Sequence, residues 1–163
     1  MTIQKVEARD AKLVSDIIGK SFEEQARILQ MNEQQYPYYV AFEKPEAVIK
    51  AMENGEAVCL LMDSERAIGT IRCNVDNNDS TKGYINRLAV LPQYRKNGYG
   101  KLLMDFAEDM LKKCGVMDIE ISIVRQFDRL QVFYEMLGYA VTKDVTYSFF
   151  PFECRYMEKR TDR

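Results

Sequence analysis

The chain has 163 residues, a length typical of one domain, and we expect residues 1–163 to form a single domain. A formal net charge of −2 gives no general attraction to nucleic acid or to an anionic membrane, and no apolar run approaches the length of a membrane span. There is no histidine, which excludes Ser-His-Asp and Cys-His catalysis and removes the commonest zinc ligand. The four cysteines lie far apart, and the N-terminus lacks the apolar core of a signal peptide. We therefore expect reduced thiols, no metal and a cytoplasmic location.

The first third of the chain predicts one strand followed by helices. The alternating stretch IQKVEA indicates the strand, and DAKLVSDIIGKSF indicates a helix with Asp10 placed to cap it. Residues 23–42 are predicted to continue this helix and then to become irregular and rich in aromatic residues. Pro45 suits the first turn of a further helix that ends near Asn54. The apolar face of the first helix is predicted to contain Leu13, Val14, Ile17, Ile18 and Phe22.

The remainder alternates between strands and helices. EAVCLLMD and RAIGTIRCNV are predicted to form a hairpin, and GYINRLAVL the next strand. Lys101 to Cys114 is a predicted helix, DIEISIV a strand, and Asp128 could cap a short helix that runs through Leu137. Two final strands surround a turn at Phe150. The apolar stripe of the Lys101 helix consists of Leu102, Leu103, Phe106, Ala107, Met110 and Leu111.

The loop RKNGYG stands where this helix should begin, yet it offers no obvious side-chain cap. Unsatisfied N–H groups at a helix start bind anions, and glycine at positions 98 and 100 lets the backbone approach an anion closely. The loop is therefore predicted to hold a phosphate or pyrophosphate. A Walker A loop would need Ser or Thr at Leu102, and a dinucleotide fingerprint would need glycine at Leu103. A plain glycine-rich turn is the structural alternative.

RLAVLPQYRKNGYGKLLM resembles the central motif of the GCN5-related N-acetyltransferase (GNAT) family, whose pattern R/Q-x-x-G-x-G/A is matched by Arg95, Gly98 and Gly100. FYEMLGY, residues 133–139, resembles the FYEKLGF segment of the same family. The resemblance implies an α/β fold of GNAT type, with a mixed, mostly antiparallel central sheet flanked by helices on both faces. It also implies transfer of an acetyl group from acetyl-CoA to a primary amine by direct attack in a ternary complex. A non-catalytic CoA-binding module and an acyltransferase for longer acyl chains are the alternatives.

The same resemblance implies where the cosubstrate binds. The backbone of Leu88, Ala89 and Val90 would pair with the pantetheine arm of acetyl-CoA, as an added strand does. The loop would bind the pyrophosphate through Arg95, Lys96, Asn97, Gly98, Tyr99, Gly100 and Lys101. The expected partners are acetyl-CoA and a small-molecule or peptide amine, without nucleic acid or membrane, and a homodimer is left open.

Tyr134 is the catalytic candidate, because the family's tyrosine at this place lies near the CoA sulfur; a core tyrosine packed beside Phe133 is the alternative. Asp128 stands where many family members have asparagine, although Asp128 and Gln131 also form a fair capping box. No general base is identified: Glu120 could reach the cleft or be solvated, and water could take the proton. The resemblance also implies that the stretches QMNEQQYPYYVAF and TYSFFPFECRY wall the acceptor site; an aromatic cover over the sheet or a dimer contact is the alternative.

Overall fold

The computed structural model describes residues 1–161, in which seven strands form one sheet in the order β1-β2-β3-β4-β5-β7-β6. All neighbouring strands are antiparallel except β4 and β5, which are parallel. The predicted α/β fold with a mixed, mostly antiparallel sheet is therefore confirmed. That residues 1–163 form a single domain stays a prediction. The strands are β1 (Thr2–Lys5), β2 (Ala57–Asp63), β3 (Arg66–Val75), β4 (Lys82–Val90), β5 (Asp118–Val124), β6 (Ala140–Thr146) and β7 (Glu153–Arg160).

Helices cover both faces of the sheet. One face packs against the first two helices through an apolar cluster that includes Val14, Ile18 and Val48. The other packs against the third and fourth helices through a cluster that includes Leu103 and Ile119. The helices are α1 (Ala11–Ile28), α2 (Pro45–Glu53), α3 (Tyr99–Lys113) and α4 (Asp128–Met136).

The parallel strands β4 and β5 pair only at their beginning. The paired positions run from Lys82 opposite Asp118 to Tyr84 opposite Glu120, and beyond them the two strands separate. β4 also has a bulge against β3: Ala89 pairs with Thr70 and Asn86 with Arg72, so two residues of β4 lie opposite one of β3. A wedge therefore opens in the middle of the sheet toward the carboxyl ends of β4 and β5.

Several local predictions need correction. Leu13 and Leu102 are 42% and 41% exposed, because each lies beside rather than on the buried face of its helix. Asp10 makes no capping bond to α1 and instead accepts a hydrogen bond from the N–H of Glu7 in the preceding 3-10 turn. Asp128 is the first residue of α4 and likewise makes no side-chain cap.

Candidate active site

A cavity of about 860 Å³ occupies the wedge between β4 and β5. Its wall includes the carboxyl-terminal half of α1, residues 38–40, both separated strands, the glycine loop and α4. Since α1 and α3 lie on opposite faces of the sheet, the cavity passes through the sheet and has a wall on each side. This arrangement gives two molecules access to the same point from opposite faces.

The glycine loop presents free donors to this cavity. Gly98 occupies the position before α3 with φ of 80°, a left-handed conformation that glycine adopts without strain. The first hydrogen bond within the helix runs from the N–H of Leu102 to the carbonyl of Gly98. In the described chain, the N–H groups of Tyr99, Gly100 and Lys101 therefore have no acceptor. The geometry suits an anion at this end of the cavity.

The predicted cations of the loop differ in what they contact. Arg95 donates to the carbonyl of Ser21 on α1 at 2.6 Å and to that of Val90 at 3.3 Å, so it fastens the loop to α1 and β4. Lys101 pairs with Asp105 at 2.6 Å on the exposed side of α3. Lys96 lines the cavity and has no hydrogen bond or ion pair within residues 1–161. Lys96 is thus the loop cation most available to a ligand.

Other loop residues have separable roles. Asn97 does not line the cavity; its side-chain amide donates to the carbonyls of Tyr94 and Arg95 and holds the loop together. Gly98, Tyr99 and Gly100 do line it. A methyl group added to Gly100 would lie 3.2 Å from the ring of Phe133 on α4, so Gly100 also permits the close approach of α3 and α4.

Leu88, Ala89 and Val90 line the cavity on β4, where no strand pairs with them on the β5 side. The N–H of Leu91 donates to Ile68 of β3, and alternate residues of a strand point their backbone groups to the same side. Ala89 therefore directs its backbone groups toward β3, whereas Leu88 and Val90 direct theirs into the cavity. Only these two of the three predicted residues can pair with an extended ligand.

Tyr134 lies on α4 and lines the same cavity while being only 9% exposed. Its ring contacts those of Phe133 and Tyr139 at centroid distances of 5.0 and 5.8 Å. Within the described residues its hydroxyl has no hydrogen-bond partner. Burial raises the pKa of the Tyr134 phenol above its ordinary value, so the group stays protonated at neutral pH. It can act there as a donor.

Two other candidates lie outside the cavity. Glu120 belongs to the last pair before the strands separate but does not line the cavity: its side chain is 14% exposed and lies 3.5 Å from Lys82. Asp128 also does not line the cavity, and its predicted capping partner Gln131 instead accepts a hydrogen bond from Arg155 at 2.7 Å. Neither carboxylate is a candidate base on this geometry.

On the α1 side, the predicted aromatic stretches meet. Tyr39 contacts Phe150 and Phe152 with ring centroids 6.2 and 5.9 Å apart, and all three line the cavity. The hydroxyls of Tyr39 and Ser21 are buried without a hydrogen-bond partner in residues 1–161. Burial raises the pKa of the Tyr39 phenol, so it also stays protonated. These groups form a largely apolar wall with two unused hydroxyls.

Sequence reasoning missed one feature of this wall. Glu43, in the segment before α2, forms ion pairs with Arg72 of β3 and Arg87 of β4. The one available signal was an arginine in the interior of each strand, Arg72 in β3 and Arg87 in β4. Burial alone would raise the pKa of Glu43, but hydrogen bonds from Arg72 and the charge of Arg87 hold it below its ordinary value.

Comparison with known proteins identifies the family. The family model described as the acetyltransferase (GNAT) family matches residues 21–139, which include the glycine loop, the wedge and Tyr134. The chain belongs to the GNAT acetyltransferase family. This confirms the family predicted from the two motifs.

Individual relatives add detail. N-alpha-acetyltransferase 30 of Schizosaccharomyces pombe (strain 972 / ATCC 24843) is 31% identical over 80 residues, which are 48% of this chain and 53% of the relative. The match thus spans about half the length of that curated relative. The solved structure of smu.2055 from Streptococcus mutans UA159 has a TM-score of 0.80 at 15% identity, covering 99% of this chain and 100% of that one.

A second solved structure, the PaiA N-acetyltransferase from Thermoplasma acidophilum in complex with coenzyme A, has a TM-score of 0.78 at 21% identity. The match covers 98% of this GNAT chain and 99% of the chain of that structure. These structural likenesses establish the fold. Within residues 1–161, no helix has the length and apolarity needed to cross a bilayer, and no cluster of three or more His, Cys, Asp or Glu side chains is placed to bind a metal ion.

Proposed function

We propose that this chain transfers an acetyl group from acetyl-CoA to a primary amine in a ternary complex. The observation that carries the proposal is a single cavity that joins free helix N–H donors, an unpaired strand edge and Tyr134. A pyrophosphate fits the N–H groups at the start of α3, and Lys96 adds a charge beside it. The amides of the pantetheine arm fit the backbone of Leu88 and Val90.

In the reaction we propose, the amine nitrogen attacks the thioester carbonyl carbon to form the new C–N bond. The backbone N–H groups of β4 that face the cavity stabilise the developing oxyanion. The C–S bond then breaks, and the amine loses a proton to water, because Glu24, the one carboxylate among the described residues that line the cavity, is exposed and paired with Arg27. The products are an N-acetylated amine and free CoA.

Tyr134 would donate a hydrogen bond to the departing sulfur. A thiol has a pKa of about 8.5 and the pKa of this phenol is raised above its usual 10, so complete proton transfer to the thiolate is unfavourable. A hydrogen bond to the thiolate lowers the barrier without that transfer. Tyr134 is therefore assigned the role of donor rather than of full acid.

The acceptor is a small-molecule or peptide amine, and the cytoplasmic location stays a prediction that four cysteines without a disulfide support.

Calorimetry with acetyl-CoA and butyryl-CoA tests the cosubstrate, and thiol release across a panel of peptides and small amines tests the chemistry. We expect binding of acetyl-CoA and thiol release that depends on the amine. Absence of binding would contradict the cavity assignment, whereas binding without thiol release from any amine would favour the non-catalytic alternative.

A further inference from the structure

Three charged side chains meet beside the bulge of β4. Nη2 of Arg72 lies 2.7 Å from Oε2 of Glu43, and Nε of Arg87 lies 3.0 Å from Oε1 of the same carboxylate. The side chains of Glu43 and Arg72 are 7% and 5% exposed, whereas that of Arg87 is 32% exposed. The carboxylate of Glu43 thus pairs with two guanidinium groups, and the cluster has a net charge of +1.

Arg87 is the member of this cluster that lines the cavity. Its Nε donates a hydrogen bond to Glu43, while its two terminal nitrogens donate to no group within residues 1–161. The residue has φ of 54°, a left-handed conformation uncommon for a non-glycine residue in a strand, and it belongs to the bulge. Asn86, its neighbour, also lines the cavity, and its side-chain amide has no partner among the described residues. The bulge therefore supports a fixed guanidinium with free donors at the cavity wall.

The position of Glu43 places this charge on the acceptor side. Glu43 follows α1 and belongs to the α1 face, opposite the start of α3 where the pyrophosphate is proposed to bind. Among the charged residues that line the cavity, Glu24 is the one carboxylate in the described chain, and it pairs with Arg27. The cations of the wall are Arg87, Arg95, Lys96, Lys101 and Arg129. A polycationic acceptor would find no free carboxylate here, whereas an anion would find unused donors.

We propose that Arg87 binds an anionic group of the acceptor, a carboxylate or a phosphate, and so makes this enzyme selective for amines that carry one. Guanidinium binds both groups through parallel N–H donors, and its attachment to Glu43 fixes its orientation before the acceptor arrives. Arg87 is a specificity residue in this assignment and takes no part in bond making. The inference rests on the proposed acetyl transfer.

The test compares matched acceptors that differ in one charge. One pair is a tripeptide beginning with aspartate and its asparagine counterpart; the other is phosphoethanolamine and ethanolamine, which distinguishes phosphate from carboxylate. We expect kcat/KM to favour the anionic member of at least one pair by about tenfold or more, chiefly through KM. Arg87→Met should abolish this preference, and Arg87→Lys should keep part of it, since lysine retains the charge without the fork.

Lys44→Gln is the matched control. Lys44 is an exposed cation next to Glu43 that pairs with Glu33 and does not line the cavity, so its loss should leave the preference unchanged. The wild type and the variants are assayed with the same amines. Differences in amine pKa therefore cancel when the preference of a variant is compared with that of the wild type. Urea midpoints of the Arg87 variants establish that they fold.

Equal rates for both members of each pair in the wild type would overturn the assignment, as would a preference that survives Arg87→Met. Thiol release with neutral and anionic amines alike would refute this inference and leave the acetyl transfer intact. If no amine releases thiol, the transfer itself fails. Calorimetry of the two peptides with the CoA-bound protein then decides on Arg87 separately: tighter binding of the aspartate peptide, lost in Arg87→Met, supports it, and equal binding refutes it.

Discussion

Glu43→Gln is expected to be among the most damaging single substitutions in this chain outside the apolar core. The change keeps the shape of the side chain but removes the negative charge that two arginines share. Arg72, whose side chain is 5% exposed and whose Nε has no partner in the part of the chain that the structure describes, would keep a buried positive charge without its counter-ion. Removing one partner of a buried ion pair costs about 3–5 kcal/mol of the free energy of unfolding.

Urea denaturation at pH 7, followed by far-UV circular dichroism, measures this cost. With an m-value of about 2 kcal/mol/M, a loss of 3–5 kcal/mol lowers the midpoint by about 1.5–2.5 M. The control is Glu24→Gln, which removes the same group from an exposed pair with Arg27 on α1. Its midpoint should stay close to that of the wild type.

A shift as small as that of the control would refute the reasoning, because the cluster would then contribute no more than a surface pair.

The pH dependence gives a second check. The pKa of Glu43 is lower in the folded than in the unfolded chain, so its contribution is fully present above the ordinary glutamate pKa of about 4.3. It is lost as pH falls through the lowered folded value. Over that pH range, the free energy of unfolding of Glu43→Gln should therefore fall less than that of the wild type.

Three further predictions concern the cavity. Gly98→Val should weaken acetyl-CoA binding in calorimetry because valine does not tolerate φ of 80°, whereas Gly98→Asn should bind nearly as the wild type; equal affinities would contradict the loop assignment. Tyr134→Phe should leave the affinity for acetyl-CoA unchanged and lower kcat by about 10- to 150-fold in single-turnover assays, because it removes one hydrogen bond to a charged atom. An unchanged kcat would mean that Tyr134 only packs in the core. If water takes the proton, kcat/KM should rise with pH up to the pKa of each amine, and the profiles for an α-amine and an alkylamine should be displaced by about two and a half pH units. A common turning point would instead indicate a base on the enzyme.

The sequence by itself determined the features that depend on neighbouring residues. Gly98 and Gly100, followed by the periodic apolar residues of α3, predict a helix start that binds an anion, since φ, helix capping and periodicity are properties of a short segment. The FYEMLGY segment placed Tyr134 on its helix for the same reason. Strand and helix order followed from alternation and periodicity, and the two motifs together indicated the family.

Only the tertiary structure decided which charged groups meet. Arg95, whose contact with a phosphate stays a prediction, donates to Ser21, 74 residues away, and Glu120 pairs with Lys82. The partners of Glu43 are 29 and 44 residues distant in sequence. A charge is satisfied by whichever opposite charge or carbonyl the packed sheet brings within about 3 Å, and no local pattern specifies that neighbour. The direction of Arg87 into the cavity depends on the same packing, because it is set by a bulge that exists only when β3 and β4 pair.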